Sequence, residues 1–219
     1  SRLVLISTSC LLLGGTLLAW FLEMDNSKTI GTLNVWQQLL VSFFQTVTMR
    51  TAGFATISYT NANFTSNLLF MIQMFIGGGT GGTAGGIKVT TASIMFLLFK
   101  SVLSGNSRVV FRNRIISNKT VMQAFTVILF YLIMLLVGYV ILLQTNPTLS
   151  PLALLFESVS AIATVGVSMD LTSSLNTMGR LVIMALMFIG RVGPITVLLS
   201  LMTKKEKHVS YAPTHISVG

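Results

Sequence analysis

The residues best placed to do chemistry sit in a pair of short loops, Thr51-Ala52-Gly53-Phe54 and Thr164-Val165-Gly166-Val167. The second contains Thr-Val-Gly, a tripeptide whose backbone carbonyls can replace the hydration shell of a potassium ion. Gly53 and Gly166 can take backbone angles that other residues avoid. Thr51 and Thr164 add a hydroxyl oxygen beside each carbonyl row. The chemistry on offer is coordination of a dehydrated K⁺ at these loop positions, mainly by backbone oxygens. A closed ring of oxygens needs more than two contributing strands, so this pair reads as half of a pore.

Other chemistry is poorly supplied. Cys10 is the single cysteine and lies inside an apolar run, so no disulfide framework or cysteine metal site exists. Neither histidine has a metal-ligand neighbour, and the apolar segments hold no cluster of acids and no Ser/Lys pair. An enzyme and an organic cofactor are therefore not expected. Gly77-x-Gly79-x-x-Gly82 matches a dinucleotide fingerprint, but a glycine run matches almost any spacing and no βαβ unit surrounds it. The phosphate-loop pattern fails because Ile87 separates Gly86 from Lys88.

The elements that must carry the loops follow from composition. Of 219 residues, 53% are hydrophobic and only 9% charged, and the mean hydropathy is +0.82. Soluble domains carry about 25% charged residues, so the bilayer is the expected solvent. Four strong membrane segments stand out: Leu3–Leu22, Leu68–Phe99, Val121–Leu143 and Leu181–Met202. Val35–Thr48 and Leu152–Ala163 are apolar but too short to span, and read as re-entrant half-helices. The run after Arg2 is long for a signal sequence and reads as a span.

The net charge of +9 is clustered. Lys100, Arg108, Arg112, Arg114 and Lys119 crowd one connection, and Lys204, Lys205 and Lys207 crowd the tail. Basic residues beside the ends of apolar spans mark the cytoplasmic side and suit acidic lipid head groups. Nucleic acid is not an expected partner, because no basic face interleaved with aromatics exists. Glu23–Asn34 and Gln144–Ser150 then face outward, and both half-helices enter from outside.

The halves repeat. Thr164 lies 113 positions after Thr51. The same offset pairs Phe43 with Phe156, Gly53 with Gly166, Met71 with Met184 and Thr83 with Thr196. It also pairs Met74-Phe75-Ile76-Gly77 with Met187-Phe188-Ile189-Gly190. Each repeat reads span, pore half-helix, filter loop, span, and both run in one direction. The expected fold is an all-α membrane protein, with residues 1–107 and 108–203 as tandem repeats and 204–219 as a cytoplasmic tail.

The second span is interrupted by Gly77-Gly78-Gly79-Thr80-Gly81-Gly82-Thr83-Ala84-Gly85-Gly86. Glycine costs about 1 kcal/mol relative to alanine inside a helix, so two helical pieces joined by an irregular loop are expected. Such backbone at membrane depth must face protein or water. Close packing of small residues is one reading; a movable gate below the filter is the favoured one. Arg191, near the middle of the fourth span, faces a cavity or partner by default. It reads equally as a structural clamp and as a fixed positive charge in the pore. Lys88 is expected to snorkel to the interface, Arg50 to brace the first loop, and Glu157 to anchor the second half-helix. Asp170 reads as an exposed loop charge, and Phe54 either narrows the mouth or packs.

Met49-Arg50-Thr51-Ala52-Gly53-Phe54, the loop Gly77–Gly86 followed by Ile87-Lys88-Val89, and Thr164-Val165-Gly166 together resemble the Trk/Ktr/HKT superfamily of potassium transporters. The tail from Tyr211-Ala212-Pro213 to Ile216-Ser217-Val218-Gly219 is most similar to the KtrB type of membrane subunit. The resemblance covers nearly the whole chain. It implies four repeats around one pore, of which these would be the third and fourth, the N-terminal half being supplied elsewhere. It implies filter positions at Thr51–Phe54 and Thr164–Val167, an intramembrane gate at Gly77–Gly86, and a pore arginine at Arg191. It implies K⁺ uptake across a bacterial cytoplasmic membrane, Na⁺ dependence, a homodimer, and a cytosolic KtrA-type ring that binds ATP or ADP. A non-conducting membrane scaffold and a Na⁺-selective carrier of the same superfamily are the alternatives. Glycine at both filter positions favours K⁺.

Overall fold

A computed structural model describes residues 2–79, 84–105, 108–111 and 114–193. The middle of the glycine loop (80–83), the end of the expected fourth span and the basic tail lie outside the described residues.

The first half runs α1 (Arg2–Glu23), α2 (Val35–Thr48), α3 (Phe64–Phe75) and α4 (Val89–Leu103). The second runs α5 (Asn118–Thr145), α6 (Pro151–Ile162) and α7 (Thr177–Val192). By length and composition α1 and α5 can cross a membrane, with mean hydropathies of 1.9 and 2.8. The helices expected at 35–48 and 152–163 form within a residue of those limits.

Local chemistry sets these boundaries. Asn34 and Gln37 close a capping box at the start of α2: the Gln37 N–H donates to Asn34 Oδ1 at 2.9 Å, and the Asn34 N–H donates to Gln37 Oε1 at 3.3 Å. Pro151 opens α6, where its missing N–H costs nothing. The long Leu68–Phe99 segment is broken as expected, α3 stopping at Phe75 and α4 starting at Val89. The ends of the intervening loop pair instead, Gly77 N donating to Ile87 O at 2.8 Å and Ile87 N to Phe75 O at 3.1 Å.

One element was not foreseen. The basic connection contains a small antiparallel hairpin, β1 (Val110–Phe111) with β2 (Arg114–Ile115). Among the described residues, two short strands thus accompany the helices.

The second half-helix is the centre of the molecule. Both hydrophobic cores include its residues: Leu154, Ala161 and Ile162 in one, Phe156 and Val159 in the other. α3 and α7 both pack on it, so α6 ties the halves together. Tyr59 from the first half lies against Phe156, ring centroids 5.2 Å apart. The outer faces of α1 and α5 expose Leu13, Leu17, Phe21, Leu136 and Val137. Apolar area on that scale calls for lipid or another protein surface.

Candidate functional site

The two tetrapeptide loops follow α2 and α6 directly. Thr51 has φ 65° and Gly53 φ 81°; Thr164 has φ 55° and Gly166 φ 92°. The left-handed residues thus fall at equivalent places, separated by Ala52 and Val165, which are not left-handed. A β strand alternates its carbonyls between two sides. Alternating the handedness of neighbouring residues turns carbonyls toward one side, the arrangement a cation row needs. Threonine in the left-handed region carries a cost of order 1–3 kcal/mol, so the surrounding structure must enforce it.

Side chains on the half-helices do so. Thr48 Oγ1 accepts from Phe54 N at 2.7 Å and donates to Phe54 O at 2.8 Å. In the second loop Ser160 Oγ accepts from Gly166 N at 3.2 Å, and Val165 N donates to Ser160 O at 2.9 Å. Thr48 and Ser160 were missed at the level of sequence. Their only signal was a hydroxyl near the end of an apolar half-helix. Neither α2 nor α6 has a basic residue in its last turn. The negative ends of both helix dipoles lie beside the loops, an orientation suited to a cation.

The loops meet. A methyl on Gly53 would collide with the Val165 carbonyl oxygen, whereas one on Gly166 would find open space. Phe54 does not pack: it is 67% exposed.

The glycine loop is fastened to both. Arg50, half-buried beside the first tetrapeptide, donates from Nη1 to Gly77 O at 3.3 Å. Gly85 N donates to Thr164 Oγ1 at 3.0 Å, so close that a methyl on Gly85 would overlap that threonine. Lys88 does not run outward as expected; its Nζ donates to Ala84 O, closing the end of the loop. Gly78 and Gly79 continue the irregular backbone after α3, and Gly86 takes φ 70°. Of the expected loop residues, Thr80, Gly81, Gly82 and Thr83 lie outside the described residues.

Arg191 lies in the last turn of α7 and lines a cavity of about 450 Å³ together with Glu157, Ser160, Thr164, Gly166 and Thr172. The chain leaving each loop is held as well. Gln45, 1% exposed, is oriented so that Oε1 accepts from Thr56 N at 2.9 Å and Ile57 N at 3.0 Å, and Nε2 donates to Tyr59 Oη at 2.8 Å. Thr172 Oγ1 donates to Glu157 Oε1. Thr60 Oγ1 donates to Met169 O at 3.3 Å and Asp170 Oδ2 at 3.4 Å, linking the segments that follow the two loops. Among the described residues no group of three or more His, Cys, Asp or Glu side chains could hold a metal ion. Oxygen donors here are backbone carbonyls and hydroxyls, which suit a weakly held alkali cation.

Comparison with known proteins bears on this geometry. The family model described as "TrkH: Cation transport protein" matches residues 3–211. The Ktr system potassium uptake protein B of Vibrio alginolyticus is 33% identical over 219 residues, which is 100% of this chain and 48% of that protein. The potassium/sodium uptake protein NtpJ of Enterococcus hirae is 36% identical over 225 residues, 100% of this chain and 50% of that one. The crystal structure of the potassium transporter TrkH from Vibrio parahaemolyticus superposes with a TM-score of 0.74 at 19% identity, covering 90% of this chain and 43% of that one. The chain spans about half the length of the curated relatives it matches.

Proposed function

This chain belongs to the TrkH family of cation transport proteins, and we propose that it supplies half of a K⁺ uptake pore in a bacterial cytoplasmic membrane. One observation carries the reading. Two loops 113 residues apart place left-handed Thr and Gly in the same order, each at the negative end of a half-helix. Dehydrated K⁺ is coordinated by carbonyl and hydroxyl oxygens of Thr51–Phe54 and Thr164–Val167, with the other strands of the ring coming from the rest of the subunit. Below them the Gly77–Gly86 loop acts as an intramembrane gate. It is held by Arg50 and Thr164, with Arg191 as a fixed charge in the cavity.

The family relationship supports the remaining parts of the proposal. Names of relatives speak of a Ktr system and of potassium/sodium uptake. We assign this chain a subunit role in a homodimer, with a KtrA-type ring that binds ATP or ADP as its cytosolic regulator, and with Na⁺-dependent uptake. The basic connection and tail lie on the cytoplasmic side. Sodium as a carried ion is the second reading, favoured by the naming of the Enterococcus relative; glycine at both 53 and 166 favours K⁺.

The test is Rb⁺ uptake by the longer subunit containing this chain, in cells lacking other K⁺ uptake, beside the Gly166→Ser variant. Uptake that K⁺ competes away, and that the variant damages, supports the filter. A correctly inserted protein with no uptake, even with a cytosolic regulator supplied, points to a scaffold.

A further inference from the structure

Selectivity between K⁺ and Na⁺ depends on how the oxygens that replace the hydration shell are arranged around the ion. A carbonyl row has no stiffness of its own, so something behind it must fix the width. Thr48 and Ser160 hold the loops at Phe54 and Gly166. The segments that follow, 55–59 and 167–172, need a separate support.

Each half-helix provides one. In the first half Gln45 grips three points of the exit strand, at Thr56, Ile57 and Tyr59. In the second, Glu157 accepts from Thr172, whose Oγ1 lies 3.3 Å from Ser168 Oγ; that oxygen in turn accepts from Leu171 N at 3.2 Å. Tyr59 and Thr172 are equivalent positions in the 113-residue repeat, but their partners are not. The equivalent of Glu157 is Phe44, 40% exposed, and the equivalent of Gln45 is Ser158. The same clasp has thus been built one residue apart, once with an amide and once with an acid.

The burial of Glu157 is informative. Glu157 is 6% exposed, and its Oε2 has no hydrogen-bond partner among the described residues. A buried carboxyl with one oxygen unmatched does not favour stability, so its presence points to a positional duty. It sits behind the second loop in the wall of the cavity that Thr164 and Gly166 also line.

We propose that Gln45 and Glu157 are positioning residues: they clasp the exit strands of both tetrapeptide loops from behind and thereby set the preference between K⁺ and Na⁺. This rests on the filter reading above. Neither side chain touches the ion; each acts through the strand it holds.

The experiment measures Rb⁺ uptake and its competition by Na⁺ for the full-length subunit, with membrane level read by immunoblot. Thr172→Val and Glu157→Ala are expected to lower the preference for Rb⁺ over Na⁺ several-fold, up to about tenfold, the range of one lost net hydrogen bond. Glu157→Gln is expected to keep most of the preference, since its amide oxygen still accepts from Thr172. Tyr59→Phe, which removes one of the Gln45 contacts, is expected to have a smaller effect. A normal preference in both Thr172→Val and Glu157→Ala overturns the proposal, and so does a change confined to membrane level. Should Glu157→Ala fail to reach the membrane, Thr172→Val decides, because Thr172 is exposed, with Thr172→Val/Glu157→Gln beside it to remove the charge that loses its donor. Gly166→Ser run in parallel separates the two levels. If it alters preference while the clasp variants do not, the clasp fails and the filter stands; if it too is silent, the filter reading falls.

Discussion

Gly53 and Gly166 share a left-handed backbone but not an environment, and that difference is testable. A methyl on Gly166 meets nothing and adds backbone strain alone, whereas a methyl on Gly53 adds a collision with the Val165 carbonyl. Left-handed strain costs about 1–3 kcal/mol for a non-glycine residue. Gly166→Ala should therefore leave measurable Rb⁺ uptake in the full-length subunit, while Gly53→Ala should reduce it at least about tenfold further through misplacement of both loops. Equal effects would mean that the contact between the loops carries no weight. The glycines and threonines themselves were legible from the chain alone, because the same Thr-x-Gly pattern recurs 113 residues apart. Thr48, Ser160 and Gln45 were not, because a polar residue on a half-helix looks the same in sequence whether it faces a loop, a partner or solvent.

The central half-helix is where elements depend on one another. Gly190 of α7 lets that helix lie against the end of α6, and a methyl there would collide with the Ile162 carbonyl oxygen. Tyr131 of α5 donates to Gly190 O at 3.3 Å, so three helices meet at one point. Gly190→Ala should destabilise the protein by about 1–3 kcal/mol, as overpacking does, measured as a lower unfolding temperature in detergent. Gly14→Ala on α1 meets nothing within 4 Å. It should be neutral or stabilise by about 0.5–1 kcal/mol through helix propensity, which makes it the matched control.

The glycine loop is the second dependent element. Arg50→Gln keeps a donor near Gly77 O but shortens its reach and removes the charge. If this tie helps to hold the loop closed, the variant should raise Rb⁺ flux at unchanged membrane level. Unchanged flux would show that the tie has no part in gating. The break in the span was legible from glycine content, because propensity acts locally. That Arg50 and Thr164 from separate repeats would fasten the two ends of the loop required the fold.

At the scale of the whole molecule the question is which way the bundle faces. In the proposed orientation the basic connection that carries the hairpin faces inside and the Glu23–Asn34 connection outside. In a Cys10→Ser background, cysteine at Lys28 should react with an impermeant thiol reagent from outside intact cells, and cysteine at Arg108 only after lysis. The reverse pattern would invert the topology and the direction of the proposed gate. Glu23 staples this end of the bundle together. Its Oε1 accepts from Asn63 N at 2.7 Å, and its Oε2 accepts from Asn26 Nδ2 at 2.7 Å and Thr29 Oγ1 at 2.6 Å. This fixes the start of α3 against the end of α1.

Composition, hydropathy and the 113-residue repeat by themselves determined the helical membrane character, the short half-helices and the break in the second span. These properties depend on local sequence: the length of apolar runs, caps and helix-breaking glycines. The sequence also marked the two tetrapeptides through residue type. Tertiary structure alone decided that α6 would be the shared core of both halves, that Gly53 would abut Val165, and that Lys88 would turn back to Ala84 instead of outward. It alone decided that Gln45 and Glu157 would hold equivalent strands from inequivalent positions. The physical reason is common to these cases. Each depends on the direction of a side chain or carbonyl toward a segment distant in the chain, and that direction is set by packing around α6, which local sequence does not encode.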